Sequence, residues 1–159
     1  LWSAVFLRWC SKMAGNELPL IEGREASHYG YVEPAMRNTI NFLKKDEPMP
    51  NWIFLNGPDK DKFVTDAPKQ VLAPTKRGAN KIPSYGDIGY QPSYGDIVLG
   101  TGGTAGYHGD LLTPKGIVGG NLGRRSKGQV AARKARRVYL ILTLNSHAKQ
   151  LLKDYKASR

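Results

Sequence analysis

Val138-Tyr139-Leu140-Ile141-Leu142-Thr143-Leu144 is a near-continuous apolar run with two readings. It is either a strand or part of a long helix. The flanks favour the helix. No Gly or Pro follows Gly128, and residues 130–156 are rich in Ala, Leu, Lys, Arg and Gln, all good helix formers. Ser126 and Gln129 have the spacing of a capping box. Val138, Ile141, Ala148, Leu152 and Tyr155 then form a stripe, widened by Leu140, Leu144 and Leu151 and broken at Asn145. The spacing predicts a long basic C-terminal helix within 124–159, reaching roughly 40 Å at 1.5 Å per residue.

Just before the run, the chain is dense in cations. Arg124, Arg125, Lys127, Arg133, Lys134, Arg136 and Arg137 occur with no acid among them. In a helix, Arg133, Arg136 and Arg137 present three guanidiniums on one face, and guanidiniums grip phosphate with paired hydrogen bonds. Residues 113–159 carry 12 Lys or Arg against Asp154 alone, which equals the whole net charge of +11. The body before them is near neutral. Such asymmetry points to an anionic partner, RNA phosphate first, bound through its backbone and not by base reading.

The opposite end is apolar. Trp2, Val5, Phe6, Trp9 and Met13 fall on one face of a short amphipathic helix, residues 1–14, with Arg8 and Lys12 off it. That face is expected to dock on a groove, or at a membrane margin. The segment is also cationic, Ser-containing and free of acids, like an organellar transit segment; Leu1 is read as a processed or truncated start. A second small helical segment occupies 15–57. Its helix is expected to begin at Pro34, a residue suited to the first helical position, and to carry Met36, Ile40 and Leu43. Trp52-Ile53-Phe54-Leu55 can form a short strand, closed by Asn56-Gly57-Pro58.

Residues 58–123 read as an extended Gly/Pro-rich segment. The chain holds 18 Gly and 10 Pro, and no window here supports a ten-residue helix. A six-residue motif recurs nine residues apart: Pro83-Ser84-Tyr85-Gly86-Asp87-Ile88 and Pro92-Ser93-Tyr94-Gly95-Asp96-Ile97. Each copy reads as a turn with a Tyr at its corner, and Tyr85 and Tyr94 join Trp2, Phe6 and Trp9 as candidate partner contacts.

Little in the chain reads as chemistry. The glycines after Ile97-Val98-Leu99 superficially resemble a dinucleotide fingerprint, but no helix can follow them before Pro114, so no cofactor is expected. His28, His108 and His147 have no metal spacing. His108 and Asp110 share the glycine-rich loop, yet a third ligand is missing, so no metal is expected. Cys10 reads as packing. The fold class expected is mostly irregular and extended with α-helices and little or no β. The function expected is a non-catalytic structural subunit of a large ribonucleoprotein, most plausibly a mitochondrial ribosome, touching RNA and neighbouring proteins. The alternatives are an accessory subunit of a mitochondrial inner-membrane complex and a filament-lining protein of the microtubule lumen.

Overall fold

The computed structural model describes residues 2–60, 80–100, 108–122, 129–133 and 137–159. The elements run α1 (Trp2–Met13), α2 (Tyr29–Lys44), β1 (Ile53–Asn56), β2 (Ile97–Gly100), β3 (His108–Thr113), β4 (Gly116–Leu122), β5 (Gln129–Arg133), β6 (Val138–Thr143) and α3 (Ser146–Ala157). The strands form one sheet in the order β1-β6-β2-β3-β4-β5, and every neighbouring pair is antiparallel. The expectation of a mostly irregular chain with little or no β is therefore overturned.

The apolar run at 138–144 is the central strand and not a helix. β6 pairs β1 on one side (Phe54 opposite Leu142) and β2 on the other (Val98 opposite Ile141). Tyr139 through Thr143 are all buried, so both faces of the strand are covered. A strand in that position shows no period-two alternation, and its Val, Tyr, Ile and Thr suit a pleated surface. The long basic helix of 124–159 accordingly divides. Gln129–Arg133 is the edge strand β5, and among the described residues of this stretch only Ser146–Ala157 is helical. Asn145, which interrupts the expected helical stripe, is the N-cap of α3. Its side-chain oxygen accepts from the His147 and Ala148 amides at 2.8 and 3.1 Å. Ser126 lies outside the described residues.

α1 has the expected extent, but its faces are reversed. Ser3, Ala4, Leu7 and Ser11 are buried, and Val5, Trp9 (60% exposed) and Met13 face outward. Four small or aliphatic side chains let the helix approach β3 and β4 closely, which an aromatic face would not. α2 begins five residues before Pro34. Proline cannot donate to the Gly30 carbonyl four residues back, and the Ile21 amide fills that place at 2.9 Å. The Thr39 hydroxyl joins α2 to the sheet: it donates to the Ala35 carbonyl and accepts from the Phe54 amide, both at 2.9 Å.

The two copies of the repeated motif share the contact from the Ser amide to the Asp carboxylate but form different turns, Gly95 having a positive φ of 95° that Gly86 lacks, in two environments. In the first copy the Asp87 carboxylate accepts from the Ser84 amide at 3.0 Å, exposed to solvent. In the second, Asp96 accepts from the Ser93 amide but is buried. It also accepts from the Tyr90 hydroxyl at 2.7 Å and from Thr143 of β6 at 2.5 Å. The shifts follow. Hydrogen bonds from the Ser84 backbone and side chain hold Asp87 below the ordinary Asp range. Burial pushes Asp96 above it, against the pull of its donors. Carboxyl-detected NMR titration should show Asp87 ionising below, and Asp96 above, a free aspartate. The linked stabilities have opposite signs. Asp87's share is lost as pH falls through its folded pKa. Asp96's share is greatest at low pH and is lost as pH rises through its own. Coincident titration of the two would refute the assignment.

Candidate functional site

Three separate stretches meet beneath the first turn of α1. Ser3 lies on its buried face. His28 occupies the position before α2, and Tyr31 lies in the first turn of that helix, three residues on and so on the same side. His108 and Asp110 are two apart on β3, so strand alternation puts their side chains together.

The contacts are polar and enclosed. The Ser3 hydroxyl lies 2.9 Å from His28 Nε2. His28 Nδ1 lies 2.6 Å from the Tyr31 hydroxyl. With the imidazole proton on Nδ1, donated to Tyr31, the serine hydroxyl donates to Nε2. The His28 and His108 rings are 5.8 Å apart, and His108 Nδ1 lies 2.9 Å from the Asp110 carboxylate. Ser3, Tyr31, His108 and Asp110 are all buried. Among the described residues, His108 Nε2 is buried with no hydrogen-bond partner. An unpaired buried polar atom costs about 1–3 kcal/mol, so this nitrogen needs a reason.

Two glycines make the space. A Cβ on Gly109 would stand 2.5 Å from the Tyr31 hydroxyl and 2.8 Å from His28 Nδ1. One on Gly119 of β4 would collide with the Asp110 carboxylate. Arg8 fixes α1 from outside, donating to the Glu25 and Pro19 carbonyls at 3.0 and 3.3 Å. Its guanidinium stands 5.9 Å from the centre of the Tyr31 ring.

Burial pushes the His28 pKa down to about 3; the charge of His108 adds to the effect and that of Asp110 opposes it. His28 is thus neutral at ordinary pH. Cys10, on the same helix, is raised by burial and is no candidate nucleophile. Among the described residues no group of three or more His, Cys, Asp or Glu is placed to hold a metal ion. No known protein family, curated protein or solved structure matches the chain.

Among the described residues, none of the site residues expected from sequence belongs to this cluster. Arg124, Arg125, Lys127, Lys134 and Arg136 fall outside the described residues. Arg133 ends β5 and Arg137 precedes β6, so no helix carries both and the expected three-guanidinium helical face does not exist. Of the expected partner contacts, Trp9 and Tyr94 (70%) are exposed. Phe6 and Tyr85 are half-buried and pack against the core, and the Trp2 side chain lies outside the described residues. Only His108 and Asp110 were visible as a pair in the sequence. Ser3, His28 and Tyr31 join them by folding, and no spacing announces it.

The His28 shift has a stability consequence. Unfolded His28 takes up a proton below about pH 6.5, whereas the folded chain resists it down to about pH 3. The stability held above pH 6.5 is therefore lost as pH falls through that window. Denaturant unfolding from pH 7 to pH 4 should show a slope approaching ~1.4 kcal/mol per pH unit from this group. His28→Gln should flatten it. An equal slope in the variant would mean that His28 is not buried neutral.

Proposed function

We propose that this protein is a hydrolase of the acyl-transfer type, with Ser3 as nucleophile and an amide or ester as substrate. The observation carrying the reading is the Ser3 hydroxyl held on an imidazole beside a second imidazole that has its own carboxylate and an unoccupied Nε2. A nucleophile, a base and a group orienting the base are the parts this chemistry needs.

The two histidines divide the work. His28 has both nitrogens engaged and a pKa near 3, too low for an efficient base at neutral pH. It orients the serine. We assign the proton-accepting role to His108, steadied at Nδ1 by Asp110, whose ring lies 5.8 Å from that of His28, the imidazole that Ser3 contacts. Ser3 Oγ then attacks the carbonyl carbon as its proton passes to imidazole. The tetrahedral intermediate collapses, the imidazolium gives that proton to the leaving group, and water releases the acyl group from Ser3 by the same exchange. The first turn of α1 brings unbonded amides and the positive end of the helix dipole to the developing oxyanion.

A thiol at position 3 makes the environment measurable. In Ser3→Cys, iodoacetamide should alkylate position 3 at least about tenfold faster than Cys10 at pH 6.5, because a neighbouring imidazole lowers a thiol pKa. His108→Ala should remove most of that advantage. Fluorophosphonate labelling of the parent chain, mapped by mass spectrometry, should fall on Ser3 and vanish in Ser3→Ala. Labelling elsewhere, or alkylation indifferent to His108, would dismiss the hydrolase reading.

A second reading is favoured by one separate observation, the 12 cations against one acid in residues 113–159. It is a non-catalytic subunit bound to RNA phosphate. Its affinity for structured RNA should fall steeply with salt, with a log–log slope near −0.9 per phosphate neutralised for a duplex. Binding flat across the salt series would exclude it.

A further inference from the structure

A concavity of about 310 Å³ lies at the C-terminal end of α2, lined by Leu43, Lys44, Asn80, Lys81, Tyr155, Lys156 and Arg159. Four of the seven are cationic and none is acidic. They come from three distant parts of the chain, so folding has gathered them. Asp46, Glu47 and Asp154 are near in sequence but do not line it, and the Asp154 carboxylate accepts from Gln150.

Two of the cations are held in place by the protein. Lys156 Nζ donates to the Lys45 carbonyl at 3.2 Å and stands 4.3 Å from the centre of the Phe42 ring. The Arg159 guanidinium lies 4.3 Å over the Tyr155 ring. The other two, Lys44 and Lys81, line the same concavity from separate segments. The neighbouring Lys81, of like charge, lowers the Lys44 pKa. Solvated surface lysines normally spread apart, because like charges repel and each carries rotamer entropy to lose. Here they converge, and among the described residues no carboxylate side chain lines the concavity.

We infer that this concavity is a binding site for a phosphate-bearing small molecule, a phosphomonoester or short polyphosphate whose multiple negative charge sits among Lys44, Lys81, Lys156 and Arg159. A phosphate offers several acceptor oxygens, which suit three-donor ammonium groups and the guanidinium fork. A single carboxylate would leave most of the cations unmatched. The volume of about 310 Å³ suits a compact ligand, and Asn80 adds a neutral donor. The site shares no residue with the Ser3 cluster and does not rest on its chemistry.

The test is calorimetric titration of the intact chain with pyrophosphate at low salt, repeated at rising salt. Saturable binding should appear and weaken with salt. Lys44→Gln with Lys81→Gln should reduce the affinity by about tenfold or more, with circular dichroism unchanged, since both side chains are exposed. Ser3→Ala should bind like the parent, which separates this site from the hydrolase reading. Absence of binding at about ten millimolar pyrophosphate, or equal binding by the double variant, would overturn the proposal. So would a short RNA oligomer whose binding depends on Lys44 and Lys81 when that of pyrophosphate does not, since the pocket would then be part of a nucleic-acid surface.

Discussion

Strand β6 is hydrogen-bonded on both sides, and the rest of the structure depends on that double pairing. It lies between β1, from residues 53–56, and β2, from residues 97–100. Chain segments more than 80 residues apart are thereby locked in register. A slip of one residue would turn every side chain to the opposite face. Leu140, Ile141 and Leu142 are essentially inaccessible to solvent, so neither face could accept polar exchange. Thr143 closes the strand. Its hydroxyl donates to buried Asp96 and accepts from the Asn145 amide, which begins the cap of α3. One threonine thus couples sheet register, the second copy of the turn motif and the start of the last helix.

The chain's local signals were legible where elements are short-range, and misleading where the sheet decides. α1, the existence of a second helix, and a strand near 53–56 follow from periodicity and turn residues alone. β6 does not, because a strand buried on both faces and a buried helical turn share one pattern, and the helix formers around it favoured the wrong one. β4 is hidden by composition: Gly116, Gly119 and Gly120 lie in seven residues and read as loop. Gly119 is there because β3 brings Asp110 against it, a tertiary cause with no local trace. The orientation of α1 was hidden for a related reason. Hydrophobicity predicts which face is buried only when the opposing surface is apolar and roomy. Here the partner is a glycine-containing sheet carrying polar groups, so the face bearing Ser3, Ala4, Leu7 and Ser11 fits it. His108 and Asp110 were seen together because they are two apart; Ser3 and His28 were not, because only docking of α1 and α2 on β3 unites them.

A buried polar network can exist to specify packing and need have no chemistry. That explanation accounts well for part of this one. Tyr31 and Ser3 satisfy both nitrogens of His28, and such satisfied groups fix the angle between two helices. It accounts poorly for His108. A purely structural histidine in that place has no reason to leave Nε2 bare, and a Leu of similar volume would avoid the desolvation cost. The glycines at 109 and 119 are a packing requirement, since a Cβ at either would collide with Tyr31 and His28 or with Asp110. An unmatched nitrogen and a serine in contact with imidazole are the two features on which the proposed hydrolase reading draws.

The excess of positive charge admits a parallel distinction. β5 is an edge strand, paired only with β4 among the described residues. Lysine and arginine on or beside an edge discourage pairing with another chain. The cations from Arg124 to Arg137 flank that edge in sequence, so negative charge elsewhere is not needed to explain them. Repulsion between copies is enough. The Lys44–Lys81–Lys156–Arg159 concavity differs in form. It lies at the end of α2 and draws its cations from three separate segments of the chain. Protection of an edge is served by spreading cations along it. Convergence of four like charges in one hollow is relieved by a bound anion, and that is the physical basis of the proposed phosphate site.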